Sequence, residues 1–476
     1  MSPSSPLLSL LVAAMSSSAS AFLSPLARHV IASSRRMHHI QRPSQTATTR
    51  AATTRLFSFF ESSSRDKILL DPKTPLHPLL NTPPTSDPSH LSQYTLPYIE
   101  IGKDDYRPNL PKGQRIVAFG DVHGDIPALH KFLLAAGVID PASLEQQPQQ
   151  IKWTGGDTIL IQTGDILDRG AKELECFRTL CTLAHQAEEV GGKVYVLYGN
   201  HESLNAAGLF QYADPEGNVE FEQTFGKRLD ENFGSNRWRL QFGGNEPARW
   251  AACEPGGLLA NGGGSMMENM MVSCLLGRTV FVHGGLRAEH LVDRIANPQD
   301  VNSYEGISKM NREARDWIMM HHHGDNNNWG EYSTVEEVIN SAQHRARTAS
   351  KSMPDCLGGG IGASSPVWMR DYSQPNDAPP KNRGAKDLLD KTLEAVGEDV
   401  QRIVMGHTPQ MKINSALGGR AWRIDVGASQ GVMGGTPEVL EIIHGGEDGE
   451  DKVSVLTVDG KSIDGKDRAV VDNVLF

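Results

Sequence analysis

Five short β-branched runs in this chain each lead into a polar, glycine-bearing cluster, and that repeated arrangement limits the fold more than any other feature. The runs are Arg115 to Phe119, Thr158 to Gln162, Lys193 to Leu197, Thr279 to Val282 and Arg402 to Met405. The clusters that follow are GDVHG (Gly120 to Gly124), GDILDRG (Gly164 to Gly170), GNHE (Gly199 to Glu202), HGG (His283 to Gly285) and GH (Gly406, His407). Helical patterns cover Ile126 to Ala136 and Ala171 to Val190, so strands and helices alternate as in an α/β domain. Pro437 to Ile443 and Val453 to Val458 read as further strands. If the first five are parallel neighbours, all five clusters meet at one sheet edge, where open α/β sheets place their ligands.

The residue types in the clusters suit divalent cations. Imidazole and carboxylate without thiolate match borderline and hard first-row ions and argue against a structural zinc site. Asp121 and His123 lie two apart in a tight turn and can face one ion; Asp165 offers two oxygens and can bridge two. Asn200, His283 and His407 complete a second site, and their neutral side chains leave net positive charge to meet a phosphate. Two such ions activate a bridging water and clamp phosphoryl oxygens. Arg169 supplies a planar fork for two phosphate oxygens. His201, beside Asn200, is placed to protonate a departing oxygen, with Asp168 to orient its ring.

In that order the motifs resemble the signature of the phosphoprotein phosphatases. FVHGGL (Phe281 to Leu286), NREARDWI (Asn311 to Ile318), SPVWMR (Ser365 to Arg370), VMGHTPQ (Val404 to Gln410) and RIDVG (Arg423 to Gly427) resemble one branch, the Shewanella-like protein phosphatases of plastid type. The resemblance runs over roughly residues 95 to 445. It implies a calcineurin-like metallophosphoesterase fold, a central β-sandwich of mixed sheets flanked by helices. It also implies two manganese, iron or zinc ions and direct attack by hydroxide on a phosphoprotein. Asp121, His123 and Asp165 then correspond to the first metal site, and Asp165, Asn200, His283 and His407 to the second. His201 and Asp168 correspond to the general-acid pair, and Arg169 to a phosphate arginine. The second phosphate arginine is assigned to Arg370, although the sequence around it departs from the eukaryotic pattern. The C-terminal toxin-docking sequence of the eukaryotic core enzymes is missing, which implies resistance to their inhibitors.

Other functions fit less well. A diadenosine-polyphosphate hydrolase would share the metal motifs but not the helix, SPVWMR and RIDVG segments. A phosphoprotein-binding pseudophosphatase is expected to lack a ligand or the acid, and purple acid phosphatases carry Tyr where Asp168 stands. Neither Gly262 to Gly264 nor Gly358 to Gly362 is followed by Lys-Ser or Lys-Thr, so neither is a nucleotide P-loop. Both interrupting stretches, His201 to His283 and His321 to Ser365, read as loops, and the His321 to His323 triplet as solvated. The five cysteines form no CxxC pair, and Cys176 and Cys181 read as small buried hydrophobes. No apolar run is long enough to span a bilayer.

Net charge is −11, yet residues 1–60 hold six arginines and no acid, so the rest carries −17. An acidic body is a poor partner for nucleic acid. Pro6 to Met15 is apolar and is followed by Ala19-Ser20-Ala21, a signal-like cleavage pattern over 1–21; residues 22–60 have transit-peptide composition. Together they resemble the bipartite address of complex plastids, with mitochondrial or secretory targeting as alternatives. Residues 61–110 read as a linker, 111–460 as the catalytic domain and 461–476 as a tail. A reporter fused to residues 1–60 is expected to enter the plastid of a complex-plastid host and to stay outside it once Met1 to Ala21 is removed. Mitochondrial import of the full fusion would sink that expectation.

Overall fold

A computed structural model describes residues 91–145, 151–226, 247–260, 264–292, 304–320, 347–360, 362, 364–446 and 449–470. The targeting region and the His321 to His323 triplet lie outside them. The elements in chain order are β1 Tyr106–Arg107, β2 Arg115–Phe119, α1 Ile126–Ala135, β3 Ile159–Gln162, α2 Glu173–Glu189, β4 Lys193–Val196, α3 Asn200–Ala206, α4 Pro215–Phe221 and α5 Pro247–Cys253. There follow β5 Ser273–Leu276, β6 Thr279–Val282, α6 Ala288–Val292, α7 Tyr304–Met319, α8 Ala385–Val396 and β7 Arg402–Met405. The chain ends in β8 Asn414–Ala416, β9 Ala421–Arg423, β10 Glu438–Ile443, β11 Lys452–Thr457 and β12 Ser462–Asp464.

The strands form two six-stranded mixed sheets, in the orders β12-β11-β10-β2-β3-β4 and β1-β5-β6-β7-β9-β8. In the first sheet β2, β3 and β4 run parallel, with Ile116 opposite Ile159 and Ile159 opposite Lys193. In the second, β6 and β7 run parallel, with Thr279 opposite Arg402. These central strands are buried at nearly every position. Burial at every position requires cover on both faces. Helices α1 and α2 pack on β10 and β4, while α7 packs on β5 and β1. One continuous apolar cluster joins residues of both sheets. The fold is therefore the expected arrangement of two mixed sheets flanked by helices.

Local sequence explains the helix ends. Asp125 caps α1, its Oδ1 accepting the Ala128 N–H at 2.9 Å, and Pro127 stands in the first turn. Along α2, Leu174, Phe177, Leu180, Cys181 and Ala184 share the buried face at helical spacing. All five cysteines are buried, and none forms a disulfide.

Three expected boundaries change. From Leu91 the supposed linker joins the domain: Tyr94, Leu96, Ile99 and Leu110 are buried, and β1 pairs with β5. Apolar side chains between the prolines give that segment something to bury. In the stretch from His201 to His283, read as loop, the described residues carry α3, α4, α5 and β5, and Trp250, Met266, Met267 and Met270 enter the core. The supposed tail adds β12 to β11, and Arg468 Nη2 donates to Glu438 Oε1 at 2.6 Å in a buried pair. Truncation after Gly460 strands the Glu438 carboxylate. The unfolding free energy in urea should then fall by about 3–5 kcal/mol. A loss below about 1 kcal/mol would show the segment to be peripheral.

Candidate active site

The ends of β2, β3 and β4 from one sheet and of β6 and β7 from the other converge on a single centre. Asp121, His123, Asp165, Asn200, His201, His283 and His407 are all buried there. Asp165 Oδ2 lies 3.2 Å from His283 Nε2, 3.8 Å from His123 Nε2 and 3.9 Å from His201 Nε2. His123 Nε2 is also 4.0 Å from Asp121 Oδ2. Two groups have ligand atoms close enough to share an ion: His123, Asp165 and His201, and Asp165, His283 and His407. Asp165 belongs to both. Asp121 and Asn200, expected as ligands, stand at their edges, Asn200 Oδ1 being 3.1 Å from His283 Nε2.

Imidazole orientation tests whether cations fit. His123 Nδ1 lies 2.9 Å from the Leu167 carbonyl oxygen and His283 Nδ1 2.8 Å from that of Thr163. A carbonyl only accepts, so both Nδ1 atoms carry the proton, and each Nε2 lone pair points into the cluster. The Nε2 of His283 therefore faces two further acceptors, Asn200 Oδ1 and Asp165 Oδ2. Acceptors converging on one point, with the opposite ring nitrogens anchored to the backbone, are what a divalent ion needs. The charges agree. Burial, followed by the neighbouring Asp425 and Asp165 charges, pushes Asp121 well above the usual carboxylate range. Burial also raises Asp425 to about 6. Burial lowers His123 to about 3, helped by His201, and brings His407 well below its ordinary value, helped by His283 and Arg370. Crowded carboxylates beside neutral imidazoles suit added positive charge. The residues present fit a pair of divalent ions.

His201 has a different setting. Its Nδ1 lies 2.6 Å from Asp168 Oδ2, and its Nε2 is 3.2 Å from Arg169 Nη2. Burial opposes its protonated form, but Asp165 and the hydrogen-bonded Asp168 outweigh that, so its pKa is raised. The Tyr212 ring packs edge-on against His201 and lies under the Arg169 guanidinium. On the other side Arg370 Nη1 is 2.5 Å from His407 Nε2, and Arg370 Nη2 donates to the His407 carbonyl at 3.4 Å. The structure thus brings the candidate ligands, the His201–Asp168 pair and both arginines read from the sequence to one place, Arg370 included.

Backbone strain concentrates here. Among the described residues eight non-glycine positions have positive φ, and five of them are His123, Asp165, Asp168, Arg169 and His407. Glu202, the last residue of GNHE, holds the Asp165 turn. Its carboxylate accepts N–H groups from Asp165 at 2.9 Å, Ile166 at 2.8 Å, Leu167 at 3.0 Å and Gly199 at 2.8 Å. Gly199 is required because a methyl group there would collide with Asp165 Oδ1. Sequence reading gave Glu202 no role. It also missed Asp425, which interacts with Asp121 and accepts the Gly427 N–H at 2.7 Å. Asp425 follows β9 as the ligands follow their strands, but three residues are too few to announce a strand.

Comparison with known proteins places this geometry. The calcineurin-like phosphoesterase family model matches residues 114–426. The curated "Shewanella-like protein phosphatase 2" of Arabidopsis thaliana is 32% identical over 352 residues, covering 70% of this chain and 75% of that protein. "Shewanella-like protein phosphatase 1" of Plasmodium berghei is 32% identical over 108 residues, 23% of this chain and 28% of that one. A solved cold-active protein tyrosine phosphatase overlays with a TM-score of 0.48 at 18% identity, covering 78% of this chain and 82% of that one. The chain belongs to the calcineurin-like metallophosphoesterases and, within them, to the Shewanella-like protein phosphatases.

Glu202 donates nothing to an ion, yet it fixes the turn that carries Asp165. Glu202→Ala is expected to weaken metal affinity about 10–100-fold in chelator competition. Unchanged affinity would show that the turn holds itself.

Proposed function

We propose that this chain is a protein phosphatase that hydrolyses phosphate monoesters on proteins with two divalent ions, of which manganese, iron and zinc suit the imidazole and carboxylate donors. The observation that carries the reading is the His201–Asp168 pair, buried against the Asp165 carboxylate on which His123, His283 and His407 also converge. Asp121, His123 and Asp165 would hold one ion, and Asp165, Asn200, His283 and His407 the other. When bound, such ions supply an activated water and neutralise phosphoryl oxygens.

The remaining work falls to side chains. Arg169 and Arg370 approach the centre from the His201 side and the His407 side, so the two forks suit the non-bridging oxygens of one phosphate. His201 donates from Nε2 to the departing ester oxygen. Asp168 holds Nδ1, fixes the ring and favours the protonated form. Because Arg169 Nη2 lies 3.2 Å from that same Nε2, fork and acid address one ester group. The proposed protein substrate is supported by the Arabidopsis relative's name and coverage. The plastid is the proposed site of action, on the composition of residues 1–60 alone.

A general acid matters in proportion to how badly the leaving oxygen needs a proton. His201→Ala should lose about 10²–10⁴ in rate on phosphoserine peptides and distinctly less on p-nitrophenyl phosphate, whose phenolate leaves unaided. Equal losses with both metals bound would assign the proton to another group. Faster turnover of diadenosine tetraphosphate than of matched phosphoserine, phosphothreonine and phosphotyrosine peptides would overturn the protein-substrate reading.

A further inference from the structure

Behind the His201–Asp168 pair lies a second, fully buried charge arrangement that the metal chemistry does not use. Arg249, on α5, has no solvent exposure, and neither has Glu173 at the start of α2. Arg249 Nη1 donates to Glu173 Oε1 at 2.9 Å, and Nη2 closes the fork on Glu173 Oε2. The same Nη1 donates to Asn205 Oδ1 at 2.9 Å, while Nε donates to Asn218 Oδ1 at 2.7 Å. The Phe221 ring covers the guanidinium face, 4.4 Å from its centroid. Both partners of the fork lead to Asp168. Glu173 Oε1 accepts the Asp168 N–H at 2.5 Å, and Asn205 Nδ2 donates to Asp168 Oδ1 at 2.9 Å. Arg249 Nη1 itself comes within 3.6 Å of Asp168 Oδ1.

This geometry answers a specific need. Asp168 and Arg169 are consecutive non-glycine residues with φ near +68°. A turn of that kind costs about 1–3 kcal/mol at each such residue and persists only where its surroundings over-determine it. Glu173 grips the turn by its backbone, and Asn205 grips the Asp168 carboxylate that holds the His201 ring. Arg249 ties the two grips together. Neutralising Arg249 would leave the Glu173 carboxylate buried without a cation, a costly state. Gly217 on α4 lies so close that a methyl group would strike Glu173 Oε2, so the carboxylate is packed from that side as well.

We infer that Arg249 is a positioning residue for the general acid: through Glu173 and Asn205 it locks the Asp168–Arg169 turn and thereby sets the His201 ring. It touches no reacting atom. Helix α5 lies in the stretch from His201 to His283, so that stretch contributes to chemistry as well as to the core. The inference rests on the proposed acid role of His201. It is independent of whether the natural substrate is a protein.

The experiment uses the full chain with both metals loaded and a series of substituted phenyl phosphates whose leaving phenols differ in acidity. Arg249→Gln should lower kcat about 10-fold or more on phenyl phosphate and no more than about 3-fold on p-nitrophenyl phosphate, with KM changed less than about 2-fold. Arg249→Lys keeps a cation beside Glu173 but not the fork, and should fall between wild type and Arg249→Gln. Asn205→Ala leaves the Arg249–Glu173 pair intact and removes its link to the Asp168 carboxylate. It should show the same ordering with smaller losses, and it carries the comparison alone if Arg249→Gln does not fold. His201→Ala is the reference. If its losses slope with leaving-group acidity while those of Arg249→Gln and Asn205→Ala are flat, the positioning role is wrong and the acid role stands. If His201→Ala is flat as well, the acid role fails and the positioning role with it.

Discussion

The Asp165 carboxylate is the point on which the centre turns. The imidazoles of His123, His201 and His283 surround its Oδ2, and its Oδ1 accepts the backbone N–H of His201 at 2.9 Å. Burial opposes its charge, while positive charge on the surrounding His283, His201 and His123 would pull its pKa well below the usual carboxylate range, the same pull that a bound cation would supply. Its neighbours Asp121 and Asp425 are pushed the other way. Burying an ion without a partner costs several kcal/mol even after relaxation. Cations that bind only the folded chain offset that cost and, by mass action, stabilise the fold. The candidate ligands come from both sheets, so an ion held at Asp165 would also tie one sheet to the other.

Strain follows from the same demand. Bringing several short side chains within reach of one point forces the backbone into left-handed turns at strand ends, and the chain accepts these at His123, Asp165, Asp168, Arg169 and His407. Two of these turns are held by buried carboxylates. Glu202 gathers four N–H groups around the Asp165 turn, and Glu173 receives that of Asp168. The strands behind them are almost completely buried, and a close-packed interior yields little. Rigidity of the two sheets keeps the turns in place.

The central strands and every candidate ligand were legible in the sequence because each signal was local: a β-branched run, a glycine and then a polar cluster. Strand ends were located to within a residue or so, as with Ile159 for Thr158 and Val196 for Leu197. Elements without a local signal were missed. β1 has two residues, β8 and β9 have three each, and their pairing is fixed by tertiary contact. β6 was read as a strand, but its hairpin partner β5, joined to it by the Gly277-Arg278 turn, lay inside a stretch read as loop. Glu202 and Asp425 sat in motifs already quoted. Their roles required knowing which backbone groups the fold would aim at them.

The segment between β4 and β5 leaves and re-enters the body at almost one point. Leu197 bridges Met271, the Tyr198 N–H donates to the Met271 carbonyl at 2.8 Å, and the Met271 N–H donates to that of Val196 at 3.1 Å. A loop closed at its base can lengthen cheaply, since each doubling costs only about 0.6 kcal/mol of closure entropy. Length variation in this excursion need not move Asn200 and His201 at its root, provided Asn205 and Arg249 keep their places beside Asp168. A lineage of such chains can lengthen the remainder of the excursion while the centre stays where it is.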